Sequence, residues 1–416
     1  MQQSSVAGGV FWRRLARWAG AALLLAAAFG AGWRLHSRPA GAGSVAPLSS
    51  DGTRCRLGPW GEMEFLPIRI AAPEELLPVQ LLEETPTRWV FGNCTRAELA
   101  QLLVECNLPA NLRELLLAPA ALVVESNKVI VTPPRQVLLE MPAGCRQALC
   151  KYLYGAAENQ NRSVLLIPQS ILDKNFHLFG VTASTRALLR EVSAPNGDSW
   201  FITGISEVLA QIPFHEEKVR LLKALSSHQT YLLRLHIHPE SDIGALVHYW
   251  GRGWWTADVK VFLDSLADRP TGTWLDIIEL LPPVPTALLY TFPVPQNPLN
   301  GPVHVHDCLW TSMNFFRDVA DDRFADPAYV LESLRTDYYP VLADRRYGDV
   351  VLFLRPDTTV AHAAVYLADD FVYTKNGYSD ITPWMIARIP DLLEHYSYES
   401  NHGQPLAISC FRNKNY

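Results

Sequence analysis

Basic runs are missing from this sequence beyond its first forty residues, and the formal net charge of the 416-residue chain is −6. With no positive field to meet phosphates, no nucleic-acid partner is expected. No CxxC spacing connects any of the cysteines Cys55, Cys94, Cys106, Cys145, Cys150, Cys308 and Cys410. Cys145 and Cys150 would also point in different directions from one helix, so no structural zinc site is expected. Internal repeats are absent, and only one apolar run approaches the length of a membrane span. Disorder is excluded by what remains: 49% of the residues are apolar and 19% charged, enough to build two cores.

That one apolar run is "WAGAALLLAAAFGAGW", positions 18–33, closed by Trp18 and Trp33 and preceded by Arg13, Arg14 and Arg17. As a helix it would reach roughly 24 Å, workable against a ~30 Å hydrocarbon core with its tryptophans in the headgroup zone. The positive flank keeps residues 1–17 in the cytoplasm, so 18–33 reads as the anchor of a single-pass bacterial inner-membrane protein. The alternative is a signal peptide cleaved near Ala40-Gly41-Ala42, which yields a secreted protein. There is no lipobox, because the nearest cysteine is Cys55. Both readings export the remainder to the periplasmic side, where disulfides are permitted and an odd cysteine count leaves at least one thiol unpaired.

Residues 34–50 contain "SRPAGAGSVAPLSS", a Pro/Gly/Ala/Ser linker. Residues 51–270 alternate helix and strand signals and read as a mixed α/β domain. "TRAELAQLLVEC" opens with a capping box, Thr95 and Glu98; "CRQALCKYLYGAA" and "EEKVRLLKALSSH" have helical periodicity. "ALVVESNKVIVT" reads as a hairpin, and "RSVLLIP" and "YLLRLHIH" as strands. Pro282, Pro283, Pro285, Pro293, Pro295 and Pro298 mark entry into a second domain, placed at 271–416. Its order is a helix at Cys308, an acidic helical insertion up to Arg346, then "YGDVVLFLR", "AHAAVYL" and "FVYTKNG" as strands. Helix followed by antiparallel strands is an α+β arrangement.

The stretch "HVHDCLWTSMNFF" places Cys308 in the first turn of a helix whose apolar positions are Leu309, Met313, Phe316 and Ala320, with Asp307 as N-cap. Unpaired amides at a helix start favour the thiolate, the nucleophilic form. A base is supplied by His362 in "AHAAVYL", where alternation sets His362, Ala364 and Tyr366 on one face and Ala363, Val365 and Leu367 on the other. If Ala368 to Asp370 form a three-residue hairpin loop, Leu367 pairs with Phe371 and His362 lies opposite Asn376, whose side-chain oxygen would orient the imidazole. A one-residue slip puts Lys375 there instead, and an ammonium cannot accept that bond.

"DC" opening a helix, then "GDVVLF", then "HAAVYL" and another strand, resembles the NlpC/P60 superfamily of papain-like cysteine peptidases and amidases over about the last third of the chain. The resemblance implies a papain-like helix packed on a small antiparallel sheet, with Cys308 as nucleophile, His362 as base, Asn376 as orienting residue and Tyr290 of "LLYTFP" assisting the oxyanion site. It also implies acyl transfer through a thioester. Leu309 and Trp310 stand where the family has a small residue and a glycine, Tyr373 aligns with its third histidine, and a "WGG"-like segment is missing. For an exported protein the substrate implied is an amide in peptidoglycan peptide stems, with no cofactor. The alternatives are a non-catalytic peptidoglycan-binding or envelope-binding module whose cleft is closed by Trp310 or Tyr373, and a cysteine acyltransferase or amidase acting on another amide or ester.

His304 and His306, with His236 and His238 of "LHIHPESD", offer metal-ligand chemistry, but Leu233, Leu235 and Ile237 alternate against Arg234, His236 and His238. That pattern is the wet face of a strand, and no metal is expected. "HYWGRGWW", His248 to Trp255, reads as core aromatics ahead of a carbohydrate-stacking surface.

Overall fold

A computed structural model describes residues 54–415 apart from 78, 126–127, 155–158, 160–162, 253–255, 295–305, 378–380 and 401–404. The run at 18–33 and the linker at 34–50 lie outside the described residues. Among the described residues no helix is long and apolar enough to cross a membrane. The protein is α+β, built on small antiparallel sheets.

β1 (Met63–Ile70) finds its strand partner far along the chain. Next come β2 (Trp89–Gly92), β3 (Leu122–Glu125) and β4 (Lys128–Val131), which form a sheet in the order β2-β4-β3. The hairpin read in "ALVVESNKVIVT" is β3 and β4, with Glu125 paired to Lys128. The capping box holds as written: Thr95 Oγ1 accepts the Glu98 N–H, and the Glu98 carboxylate accepts the Thr95 N–H at 2.7 Å. β5 (Val164–Pro168), β6 (Ser193–Asn196) and β7 (Ser199–Thr203) form a second sheet, ordered β5-β7-β6. β8 (His228–Ile237) then joins β1 to β9 (Thr273–Asp276).

The largest sheet is made from β10 (Tyr338–Val341), β11 (Val350–Leu354), β12 (Val360–Ala368), β13 (Phe371–Lys375), β14 (Trp384–Arg388) and β15 (Ala407–Asn413). Its order is β10-β15-β11-β12-β13-β14. The "GD" before β11 is a fixed turn. Gly348 has φ +87°, and a Cβ there would fall 2.1 Å from the Phe316 ring, so only glycine fits. Asp349 is fully buried and takes Arg412 in two bonds of 2.7 and 2.8 Å, plus the Arg346 N–H at 2.7 Å.

The core does not divide at residue 270, where the proline cluster suggests a second domain. One cluster joins Leu233, Leu235, Trp250 and Leu275 to Trp310, Val365, Phe371 and Ile386. Polar bonds cross the same seam: the Thr230 hydroxyl is bonded to both the carbonyl and the N–H of Ile386, and Tyr249 donates to the Leu367 carbonyl. Pro283 does not break the chain but serves as the first residue of the short helix Pro283–Leu288, where a missing N–H costs nothing; Pro295 and Pro298 lie outside the described residues. Tyr249 and Trp250 belong to this core, as expected of them; residues 253–255 of the same stretch lie outside the described residues.

Candidate functional site

Asp307 caps the helix Cys308–Met313 by accepting the Trp310 N–H at 2.7 Å. The helix is six residues long and does not continue to Phe316 and Ala320. Asn314 stops it by donating to the Trp310 carbonyl and accepting the Asp321 N–H at 2.7 Å. Trp310 and Met313, with Phe315 just beyond the helix, enter the core formed by Ala363, Val365 and Tyr373, so the helix lies on that face of β12 and β13.

Cys308 is only partly exposed, and the protein packed around its sulfur pushes the thiol up to about 12. Burial is the main cause and the Asp307 carboxylate adds to it; the Ala363 and Leu309 amides and the Lys375 ammonium pull the other way without prevailing. This corrects the expectation of a thiolate. A six-residue helix has a weak dipole, and its strongest amide bond is already spent on an acid that opposes a second negative charge.

His362 is fully buried on the opposite face. Its ring stacks on Tyr396 with centroids 4.3 Å apart and lies 5.6 Å from Phe353, in a cluster with Ala364, Tyr366 and Val372. The alternation read from "AHAAVYL" is therefore present, and it is what separates the two groups: Ala363, not His362, presents toward Cys308. Nε2 lies 2.8 Å from Thr374 Oγ1, and that hydroxyl donates its one proton to the Ala363 carbonyl at 3.0 Å. The hydroxyl must then accept from Nε2–H, which leaves Nδ1 deprotonated; among the described residues Nδ1 has no partner. Burial, then His395, holds the imidazole well below its usual range, so the ring is neutral.

The orienting partner of His362 is thus Thr374 and not Asn376. Pairing between β12 and β13 ends at Val365 and Tyr373, and Asn376 lies just beyond β13 with its Oδ1 unpartnered among the described residues. The expected three-residue loop is a two-residue turn, Asp369-Asp370, because Leu367 is bulged and Ala368 pairs with Phe371. Asp369 takes a left-handed φ of +54°, which its short polar side chain tolerates. Alternation alone could have found Thr374, since it shares a face with Val372.

Lys375 is fully buried, donates to the Gly377 carbonyl at 3.0 Å and lies over Trp384. Tyr373 is buried in the core, and among the described residues its hydroxyl has no partner. Tyr290, at φ +64°, gives its hydroxyl to the Tyr231 carbonyl at 2.7 Å and its N–H to the Trp384 carbonyl, so it staples β8 to β14. His306 stacks on Trp310 at 3.9 Å and faces Asp322; His304 lies outside the described residues. All seven cysteines are free thiols.

What the sequence did not reveal is a second cluster on the β1-β8-β9 sheet, where Glu62 joins His236 and His238. Glu62 immediately precedes β1, and only the antiparallel register places it beside His236. Comparison of the chain with protein-family models, curated proteins and solved structures finds no match.

Proposed function

We propose that this is an exported, membrane-anchored envelope protein of the bacterial inner membrane whose C-terminal part is a papain-like module used for binding, with peptidoglycan peptide stems as the ligand. The observation that supports it is the reversal at β12: the Cys308 thiol and the His362 imidazole lie on opposite faces of one strand. Trp310 and Tyr373, 2% and 1% exposed, are packed into the core that Cys308 lies against, and neither lines an open cleft. Binding is assigned to a cavity of about 500 Å³ at the sheet edge, lined by Arg56, Trp60, Leu342, Arg345, Tyr366 and Asp369. Arg56 is bonded to Asp369 there, and Arg345 supplies a cation suited to the carboxylate of a short peptide.

Cysteine-dependent hydrolysis is the second reading, favoured by one feature. β12 is bulged at both ends, at Ala361 and at Leu367, and a one-residue shift of the segment between them would turn His362 to the thiol's face. Both readings are tested by incubating the purified full-length chain with peptidoglycan sacculi beside Cys308→Ala and Arg345→Ala. Binding predicts equal sedimentation of the wild type and Cys308→Ala, loss with Arg345→Ala, and no released fragments by mass spectrometry. Fragments released only when Cys308 is present would establish the hydrolase instead; no sedimentation of the wild type would remove peptidoglycan as the ligand.

A further inference from the structure

The geometry points to a divalent transition-metal site formed by Glu62, His236 and His238, away from Cys308 and independent of the binding proposal. Among the described residues these three bring one ligand atom each within 4.8 Å of one another. His236 lies near the end of β8 and His238 immediately follows the strand, both partly exposed, while Leu235 and Ile237 between and beside them are buried. Glu62 is delivered by the backbone: its carbonyl accepts the His236 N–H at 2.8 Å, which fixes its side chain beside the ring.

The spacing suits an ion. His236 Nδ1 and Glu62 Oε2 are 3.2 Å apart. Two ligands held about 2.0–2.1 Å from a tetrahedral zinc ion lie ~3.3 Å from each other, so an ion can replace the shared proton with little movement. In the metal-free state that proton is on Nδ1 or shared with the carboxylate, and ligation moves the ring proton to Nε2. His238 Nδ1 accepts the Glu240 N–H at 3.3 Å, so a neutral ring there already has its proton on Nε2 and ligation through Nδ1 would cost only that long bond.

The surroundings hold the ligands in place. Arg54 lies 3.7 Å from the other oxygen, Glu62 Oε1, which leaves Oε2 as a single-oxygen ligand. Trp274, paired with His236 across β8 and β9, stacks on its ring at 4.6 Å. Gly272, at φ +68°, gives the ring room: a Cβ there would sit 2.9 Å from His236 Nε2. Two imidazoles and one carboxylate, all partly exposed, form an N2O set with an open position for water, which selects zinc or cobalt over magnesium or calcium.

The test is titration of the full-length chain with Zn2+ by calorimetry and with Co2+ by visible absorption, beside His238→Ala and the near-isosteric Glu62→Gln, each checked for an unchanged far-ultraviolet spectrum. Saturable one-to-one binding is expected, with a tetrahedral cobalt spectrum lacking the near-ultraviolet band of a thiolate ligand. Each substitution should weaken binding by more than about tenfold. Part of the tryptophan fluorescence should be quenched by Co2+, and Trp274→Phe should remove that part. The proposal is overturned if no Zn2+ binds, if both variants bind as the wild type does, or if the cobalt spectrum shows thiolate ligation, which would place the ion at one of the seven cysteines.

Discussion

A neutral imidazole out of water has one proton to place, and His362 places it on Thr374, whose own proton is committed to Ala363. The cost of charging such a ring sets a pH dependence. An unfolded histidine titrates near 6.5; His362 is held well below that by burial and His395, and His228 is pushed down to about 4 by burial first and then by His395. Above pH 6.5 both states are neutral and the contribution to stability is complete. Below it the unfolded chain takes up protons that the folded chain refuses, so stability falls by up to about 1.4 kcal/mol per pH unit for each histidine. Urea unfolding between pH 7.5 and 5 should show this decline, made shallower by His228→Gln; a flat profile would contradict it. The two residues of the expected dyad were legible one at a time, because a cap and a strand alternation are local. Their relation was not, since it depends on which face of β12 receives the helix.

At the level of elements, the segment "YGDVVLFLR" was legible as a strand after a tight turn, and the reason its Asp is there is electrostatic. Asp349 and Arg412 tie β11 to β15 with two buried bonds, so Asp349→Ala strands a buried guanidinium and should cost about 3–5 kcal/mol, measured by urea unfolding. A loss under 1 kcal/mol would mean the pair contributes little. Gly348→Ala should also destabilise, because both the positive φ and Phe316 oppose a Cβ. The bulges at Ala361 and Leu367 were not legible: they arise from how β12 meets different neighbours on its two edges, and no local residue pattern announces them.

Across the whole molecule, the proline cluster at 282–298 was read as a boundary because proline interrupts backbone pairing, yet the side chains on either side share one core. Residues 271–416 alone would expose Phe371, which Phe65 and Tyr231 pack against, and Ile386, whose backbone is bonded to Thr230. That fragment should therefore show no cooperative thermal transition, whereas the full chain should; a cooperative melt of the fragment would restore the boundary. The central claim, that the thiol is held protonated and apart from the imidazole, is tested most directly by the pH profile of iodoacetamide alkylation at Cys308, followed by peptide mass spectrometry in the wild type and in His362→Ala. With the thiol pushed up to about 12, the rate should be slow at pH 7, rise steadily through pH 9 without a plateau and be unchanged by the substitution. A fast rate with a plateau between pH 6 and 8, lost in His362→Ala, would show an assembled thiolate–imidazolium pair and contradict the account.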